Sequence, residues 1–362
     1  MATSTRLFRF HRAVISPDRR GPLLGLARVG LSGLAGAYGL TVRVRNGLYR
    51  AGLRRGLSAG APVISVGNIT AGGTGKTPFT AWLARLLVIH KMHPAILSRG
   101  YGRHRETGVD DENRMLERLA PDVPVVVDAD RMRGARTALR EHRPDVLLLD
   151  DGFQHRRIAR DLDLVLIDAV WPFGAGHLLP RGLLREPLKE LARADFLTVT
   201  RADLIGRERL TAIKERLREL APEAPIACAG TVVRGVRPVR SDGGEALGAD
   251  YLQSRRWAAF CGIGNPEGFR LTLERAGCQV GLSMVFADHE PYTRRQVGEV
   301  LDRARAAGCE RIITTEKDAV KVAPLLRRLV APHLYALRTE LEFTEGAAEL
   351  TAAVLEAAAP SA

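Results

Sequence analysis

The sequence predicts an α/β protein: a mostly parallel sheet with helices on both faces, followed by a smaller C-terminal α/β domain. Three observations predict it. Short apolar runs at 62–66, 95–98, 123–127, 146–150, 162–168 and 196–200 lack the polar alternation of half-exposed strands, so both faces of each should be covered. Helical stretches at 131–142 and 190–194 fall between them. The first run ends in a glycine-rich loop that opens a helix at 76–90.

Near 231–247 the texture changes. Val232, Val233, Val236 and Val239 are interleaved with Arg234, Arg237 and Arg240, and a Ser-Asp-Gly-Gly turn follows. This reads as an extended linker or hairpin. A second α/β unit then starts at 257–261, with helices at 266–276 and 293–307 and strands at 280–286, 311–315 and 334–337. A last helix at 344–358 suits either domain. The plan is a basic, partly apolar N-terminal segment over 1–55, a core over 56–230, a linker over 231–250 and a smaller domain over 251–362.

The chain is 46% hydrophobic and 26% charged, as ordinary globular proteins are. Its four cysteines are widely spaced without a CxxC pair, which argues against a disulfide framework or a zinc site and fits a reducing compartment. The formal charge of +13 is uneven: residues 1–60 hold eleven arginines and a single acid, Asp18. The same segment carries an apolar run at 21–42 with six glycines, broken by Arg28. The patch lacks aromatic interleaving and any nucleic-acid motif, so no nucleic-acid partner is expected. An anionic membrane surface suits arginines that flank apolar helical surface. An interfacial helix, a membrane span and a helix packed on the protein's own core remain three readings of the run.

The loop Thr70-Ala71-Gly72-Gly73-Thr74-Gly75-Lys76-Thr77 joins strand to helix. Its glycines let backbone N–H groups turn inward on phosphate oxygens, and the helix N-terminus adds partial positive charge. Lys76 is placed to reach β- and γ-phosphates, and the Thr77 hydroxyl to bind Mg²⁺. Thr70 stands where the usual phosphate loop has glycine. A phosphate loop needs an acid at the end of another strand, and Val146–Asp150 followed by Asp151 supplies two. Asp150 is the expected Mg²⁺ ligand; Asp151 could position or deprotonate a hydroxyl. ATP and Mg²⁺ are thus the expected cofactors. A nucleotide-dependent switch is the alternative, but Thr200-Arg201-Ala202-Asp203 lacks the Asn-Lys of a guanine-reading motif. A non-catalytic adaptor would have lost the acid pair, which is present.

Taken in order, Ser65–Thr70 running into the loop, Leu97-Ser98-Arg99-Gly100-Tyr101-Gly102, Asp150-Asp151-Gly152-Phe153-Gln154-His155, Leu183-Leu184-Arg185-Glu186-Pro187, Phe286-Ala287-Asp288-His289 and Thr314-Thr315-Glu316-Lys317-Asp318-Ala319 resemble the tetraacyldisaccharide 4′-kinase family. The resemblance runs from about residue 10 to 345 and also accounts for Thr70. It implies transfer of the ATP γ-phosphate to the 4′-hydroxyl of a tetraacylated glucosamine disaccharide 1-phosphate, giving lipid IVA, at the cytoplasmic face of the inner membrane. No obligate protein partner is implied. It also implies a catalytic pair of an acid with the histidine of the Asp-His motif, here Asp111 and His289. The stretch Asp110–Asn113 departs from the family's Gly-Asp-Glu-Pro at its two ends. Arg99, Tyr101, Gln154, His155, Arg185 and Glu186 are the implied substrate contacts. Read without the family, Arg185 is equally a solvated arginine, His289 a loop histidine, and His155 an orienter of a carboxylate.

Overall fold

The computed structural model describes residues 10–11, 13–15, 21–100, 111–239, 244–253, 255–288, 291–328 and 334–359. They form two compact units: 1–99, 119–229 and 343–362 make the first, and 100–118 with 230–342 the second.

The first unit opens with helix α1, Pro22–Arg50, and continues β1 (Val63–Asn68), α2 (Lys76–Ile89) and β2 (Pro94–Ser98). After helix α3 (Asp111–Leu119), which belongs to the second unit, come β3 (Val125–Val127), α4 (Arg131–His142), β4 (Val146–Asp150), β5 (Leu162–Asp168), β6 (Phe196–Thr200), α5 (Arg207–Leu220) and the start of β7 (Ile226–Pro238). The strands lie in the order β3-β2-β4-β1-β5-β6-β7, and each neighbouring pair is parallel. All of β1, β4, β5 and β6 is buried, the pattern of strands covered on both faces. Helix α5 lays Ile213 and Leu217 on Val165, Leu197 and Val199.

The second unit continues with β8 (Arg256–Cys261), α6 (Pro266–Arg275), β9 (Gln279–Val285), α7 (Arg294–Ala306), β10 (Arg311–Thr315), α8 (Glu316–Val322) and β11 (Leu334–Glu345). Its strands run β11-β10-β8-β9, again in parallel pairs. Two cores cover the two faces, one around Phe260, Val297 and Leu301, the other around Trp257, Leu273 and Tyr335. Helix α7 starts with a capping box between Thr293 and Gln296.

Several elements differ from the sequence expectation. Helices α3, α5 and α8 stand where none was expected. The stretch at 190–194 is a 3₁₀ turn, Leu188–Arg193, and the strand at 334 runs on to Glu345. The contiguous domain plan also gives way in two places. Segment 100–118 joins the second unit, where Glu112 pairs with Lys317 at 3.1 Å. The last helix, α9 (Ala347–Ala358), joins the first. There the Phe343 ring stacks 4.6 Å from Trp82, and Gly346 passes so close to Ala227 that an added Cβ would sit 2.8 Å from its Cα.

Helix α1 is apolar on two sides. Ala35, Gly39, Val42 and Asn46 are its buried residues. At about 100° per residue they form one stripe. Leu23, Leu26, Val29, Leu34, Leu40 and Val44 are exposed, and the same spacing puts them on roughly the opposite face. By length and hydropathy the helix could cross a membrane.

Candidate active site

The phosphate loop is held on both flanks. On one, residues 69–71 pair with 183–185: the Ala71 N–H donates to the Leu183 carbonyl at 2.6 Å, and the Arg185 N–H to the Ile69 carbonyl at 2.8 Å. This pairing explains Thr70. Its Cγ2 would lie 3.1 Å from a Cβ on Gly174, which has φ of +56°, so the partner segment carries the glycine. On the other flank the Thr200 hydroxyl donates to the Thr74 carbonyl at 2.8 Å. Gly72 and Gly75 adopt left-handed φ of 120° and 88°, which turns the loop without steric cost. Asn68, fully buried at the end of β1, donates to the Thr70 carbonyl at 2.7 Å and accepts from the Lys76 ammonium at 3.1 Å.

The acid pair reaches the same edge because glycine lets it. Gly152 donates to the Val66 carbonyl at 3.0 Å, and a Cβ on it would meet Ser65 Oγ at 2.4 Å. A Cβ on Gly67 would meet Phe153 Cβ at 2.5 Å. Asp150 is buried and accepts from the Thr80 hydroxyl at 3.1 Å. Asp151 sits at φ 54°, a conformation aspartate tolerates better than most residues. Its carboxylate lies 3.3 Å from the Lys76 ammonium and accepts from Arg185 Nη1 with both oxygens at 2.9 Å. Burial alone would raise this carboxyl, but Lys76 and Arg185 outweigh it and bring it down to about 2. Arg185 also donates to Gln154 Oε1 at 3.2 Å, and Gln154 Nε2 to the Asn68 carbonyl at 2.8 Å. Asp151, Gln154, Arg185, Asn68 and Lys76 thus make one polar network at the loop's mouth.

Arg131 adds a cation to this edge. It opens α4, is buried, and its Nε has no hydrogen-bond partner among the described residues. Burial and the like charge of Arg99 pull its pKa down, while Asp151 and Asp150 oppose them. His155 is pushed down to about 4 by burial and by Arg131, Arg160 and Arg157. It is therefore neutral at physiological pH, and its Nε2 is buried without a partner among the described residues.

Glu186 takes a position the sequence did not suggest. It is fully buried, and its carboxylate pairs with Arg45 of α1 and with Arg193. Asn46 donates to it as well, at 3.4 Å. Through Arg45 and Asn46 it holds α1, and a substrate would meet it only by displacing those partners. Arg99 lies exposed at the end of β2. Tyr101 and His289 lie outside the described residues, as does the Asp111 side chain; the Asp111 backbone is the first residue of α3. Asn68, Thr80, Arg131 and Thr200 belong to the site although the sequence reading gave them no role. Arg201 of the Thr-Arg-Ala-Asp stretch is bonded to Asp168 at 2.6 Å. The four cysteines are buried and form no disulfide among the described residues.

Comparison with known proteins points to one family. The family described as LpxK, tetraacyldisaccharide-1-P 4′-kinase, matches residues 27–359. A tetraacyldisaccharide 4′-kinase of Anaeromyxobacter dehalogenans strain 2CP-C is 39% identical over 354 residues, 93% of this chain and 92% of that one. One from Syntrophus aciditrophicus is 38% identical over 309 residues, 80% and 82% of the two chains. A crystal structure of "apo" form LpxK from Aquifex aeolicus in complex with ATP aligns with a TM-score of 0.67 at 30% identity, covering 91% of this chain and 99% of that one. With its phosphate loop, strand-end acids and full-length similarity, this chain belongs to the tetraacyldisaccharide 4′-kinase family.

Proposed function

We propose that the chain transfers the γ-phosphate of ATP to the 4′-hydroxyl of tetraacyldisaccharide 1-phosphate, forming lipid IVA in lipid A biosynthesis. The observation that carries this is a phosphate loop whose Lys76 is aligned by Asn68 and Asp151 at the end of a buried parallel sheet. Backbone N–H groups of the glycine turn and the start of α2, over 72–77, face the phosphates, and Lys76 turns to the β- and γ-phosphates when they arrive. The buried Thr74 hydroxyl, without a protein partner among the described residues, fits a phosphate oxygen. Asp150 and Thr77 offer oxygen donors only, which suits Mg²⁺ carried with nucleotide phosphates. They would hold that ion, which when bound neutralises charge gathering on the phosphate oxygens.

In the reaction a new O–P bond forms at the sugar hydroxyl, the bond between the β,γ-bridging oxygen and the γ-phosphorus breaks, and its electron pair leaves with ADP. The hydroxyl proton needs an acceptor. Asp151, ionised down to about pH 2, is a poor one. It serves instead to position Lys76 and Arg185. That supports Asp111 with His289 as the accepting pair, as the family resemblance implies. Arg185, Gln154, Arg99, Tyr101 and His155 fall to the substrate side, with Arg131 added as a cation for its phosphate. The test is transfer of label from γ-labelled ATP to purified disaccharide 1-phosphate in mixed micelles. Wild type should make labelled lipid IVA and Lys76→Ala should lose this activity with an unchanged melting curve. No labelled product from wild type, or equal product from the variant, overturns the reading.

The same reading puts the enzyme at the cytoplasmic face of the inner membrane as a peripheral or monotopic protein. The exposed apolar stripe of α1 supports it, since burying such residues in the interface is favourable and the nearby arginines add attraction to anionic lipid. A span is disfavoured because Tyr38, Arg45 and Asn46 tie the helix to the protein. Between α1 and residues 176–188 lies a cleft of about 380 Å³ that includes Ala35, Leu178, Arg43 and Arg181. That mixture suits a lipid with acyl chains and a phosphate. Vesicle binding should weaken in high salt and on neutral lipid; equal binding to neutral and anionic vesicles at every salt level would remove the electrostatic part.

A further inference from the structure

The second unit holds an ionic cluster that phosphate binding does not use. Lys317 is the second residue of α8, and its ammonium lies 3.1 Å from Glu112 Oε1 and 3.3 Å from Asp288 Oδ1. Its side chain is largely buried. A lysine in the first turn of a helix opposes the helix dipole, so it does not serve the stability of α8. Burial alone would push its ammonium down, but Asp288 and Glu112 outweigh that and hold it above its ordinary value. The turn that carries it is fixed. The Thr315 side chain accepts from the Asp318 N–H at 3.1 Å, and the fully buried Asp318 carboxylate accepts from Thr315 Oγ1 at 2.7 Å and from the Gly262 N–H at 3.0 Å.

The two acids on Lys317 are far apart in sequence, and each adjoins a residue of the proposed proton-accepting pair. Glu112 follows Asp111 at the start of α3; Asp288 precedes His289. We infer that Lys317 is a positioning residue, which fixes the segments carrying Asp111 and His289 relative to each other by gripping Glu112 and Asp288. This rests on the reading of Asp111 and His289 given above. Proton transfer through a pair of side chains depends on sub-ångström placement. A two-armed ammonium on a rigid helix turn supplies a fixed separation between the start of α3 and the loop after β9 that an apolar contact, lacking direction, does not.

The test uses the full chain in mixed micelles. Lys317→Met keeps the stem and removes the charge; kcat should fall about 10- to 100-fold, as expected for loss of placement, with the KM for ATP within twofold. Lys317→Arg, which keeps a multi-pronged cation, should recover most of the loss. Adding Lys317→Met to His289→Ala should cost less than twofold, because a residue acting through the pair has nothing left to position. Glu112→Gln, at a partly exposed site, should show a smaller loss that also vanishes on the His289→Ala background, and it stands in if Lys317→Met does not fold. Losses that multiply on that background, or no rescue by arginine, would mean a purely structural lysine and overturn the inference. A Lys317→Met enzyme with normal kcat beside a crippled His289→Ala overturns the clamp and leaves the pair standing. Normal kcat in His289→Ala overturns the pair, and the clamp with it.

Discussion

Replacing Asp151 by asparagine removes one charge and little else. Asparagine has the same shape and tolerates the left-handed backbone at φ 54°, so steric effects do not confound the result. The carboxylate is 16% exposed and contacts Lys76 and Arg185 at 3.3 and 2.9 Å, so solvent screens it little. An aspartyl carboxyl ordinarily titrates near 4, and this one is brought down to about 2. Each tenfold in proton affinity is worth about 1.4 kcal/mol, so the ionised form adds on the order of 2–3 kcal/mol to folding. The sign follows from linkage. Because the folded value is the lower one, the contribution is complete above about pH 4 and is lost as pH falls from there toward 2. Urea melts of both proteins in one detergent, at pH 7, 5, 4 and 3, should therefore show a gap of about 2–3 kcal/mol at pH 7 and 5 that narrows at 4 and narrows further at 3. A gap as wide at pH 3 as at pH 7 would show that the asparagine acts by something other than charge. A gap under about 0.5 kcal/mol at neutral pH would mean that the ion pairs contribute nothing net.

Three further outcomes follow from the same site. Gly67→Ala would place a methyl group 2.5 Å from Phe153 Cβ and 2.6 Å from its backbone nitrogen, so it should cost about 3 kcal/mol or prevent folding, read as the melting temperature and the soluble yield. Glu186→Gln strips the counter-charge from Arg45 and Arg193 in a buried site and should cost on the order of 3 kcal/mol, with faster proteolytic cutting within residues 22–50. His155, held near 4 and so neutral above about pH 5, contributes no titration in the working range; His155→Asn should leave the acidic limb of the kcat–pH profile where it is, and a shifted limb would make it the base.

What the sequence revealed and what it hid divide along physical lines. Strands β4, β5 and β6 end on the expected residues because unbroken apolar runs bounded by turn residues have one sensible reading. Helix α5 is masked in the sequence although Leu210, Ile213, Leu217 and Leu220 recur at helical spacing, because charged residues crowd its stripe. In α3, the charges in Asp-Glu-Asn-Arg-Met-Leu-Glu-Arg-Leu mask the apolar pattern in the same way. At the site, the phosphate loop and acid pair are legible since their chemistry is local. Thr80 and Thr200 are not: each bonds a partner 70 or 126 residues away, which no local pattern encodes. An asparagine closing a mostly apolar strand, Val63–Asn68, was the available signal for its grip on Lys76. The contact of Glu186 with α1 was hidden for the same reason as those of the threonines, since its arginine partner lies 141 residues upstream.

The buried charges around Glu186 need an explanation, because ion pairs removed from water rarely add net stability. Helix α1 supplies one. With apolar residues on two roughly opposite faces, hydrophobic burial alone does not decide which face turns inward, nor at what register, since such contacts have no direction. The polar contacts decide both. The Tyr38 hydroxyl donates to the Arg185 carbonyl at 2.8 Å, and Arg45 and Asn46 reach Glu186 from the same side of the helix. Close approach is possible because Gly39 passes where an added Cβ would lie 2.8 Å from Leu178 Cδ1. Only one face presents tyrosine, arginine and asparagine to these acceptors, so only that face can dock while giving Glu186 a second cation beside Arg193. The wrong face is disfavoured because it would bury Glu186 without its contacts to Arg45 and Asn46. Arg185 then passes the register on: its N–H pairs with the Ile69 carbonyl at the root of the phosphate loop, and its guanidinium holds Asp151 beside Lys76. The stripe of α1 left facing outward and the loop that binds phosphate are therefore oriented by one short stretch of backbone. Loosening Glu186 should disturb both together, which apolar docking of α1 would not require.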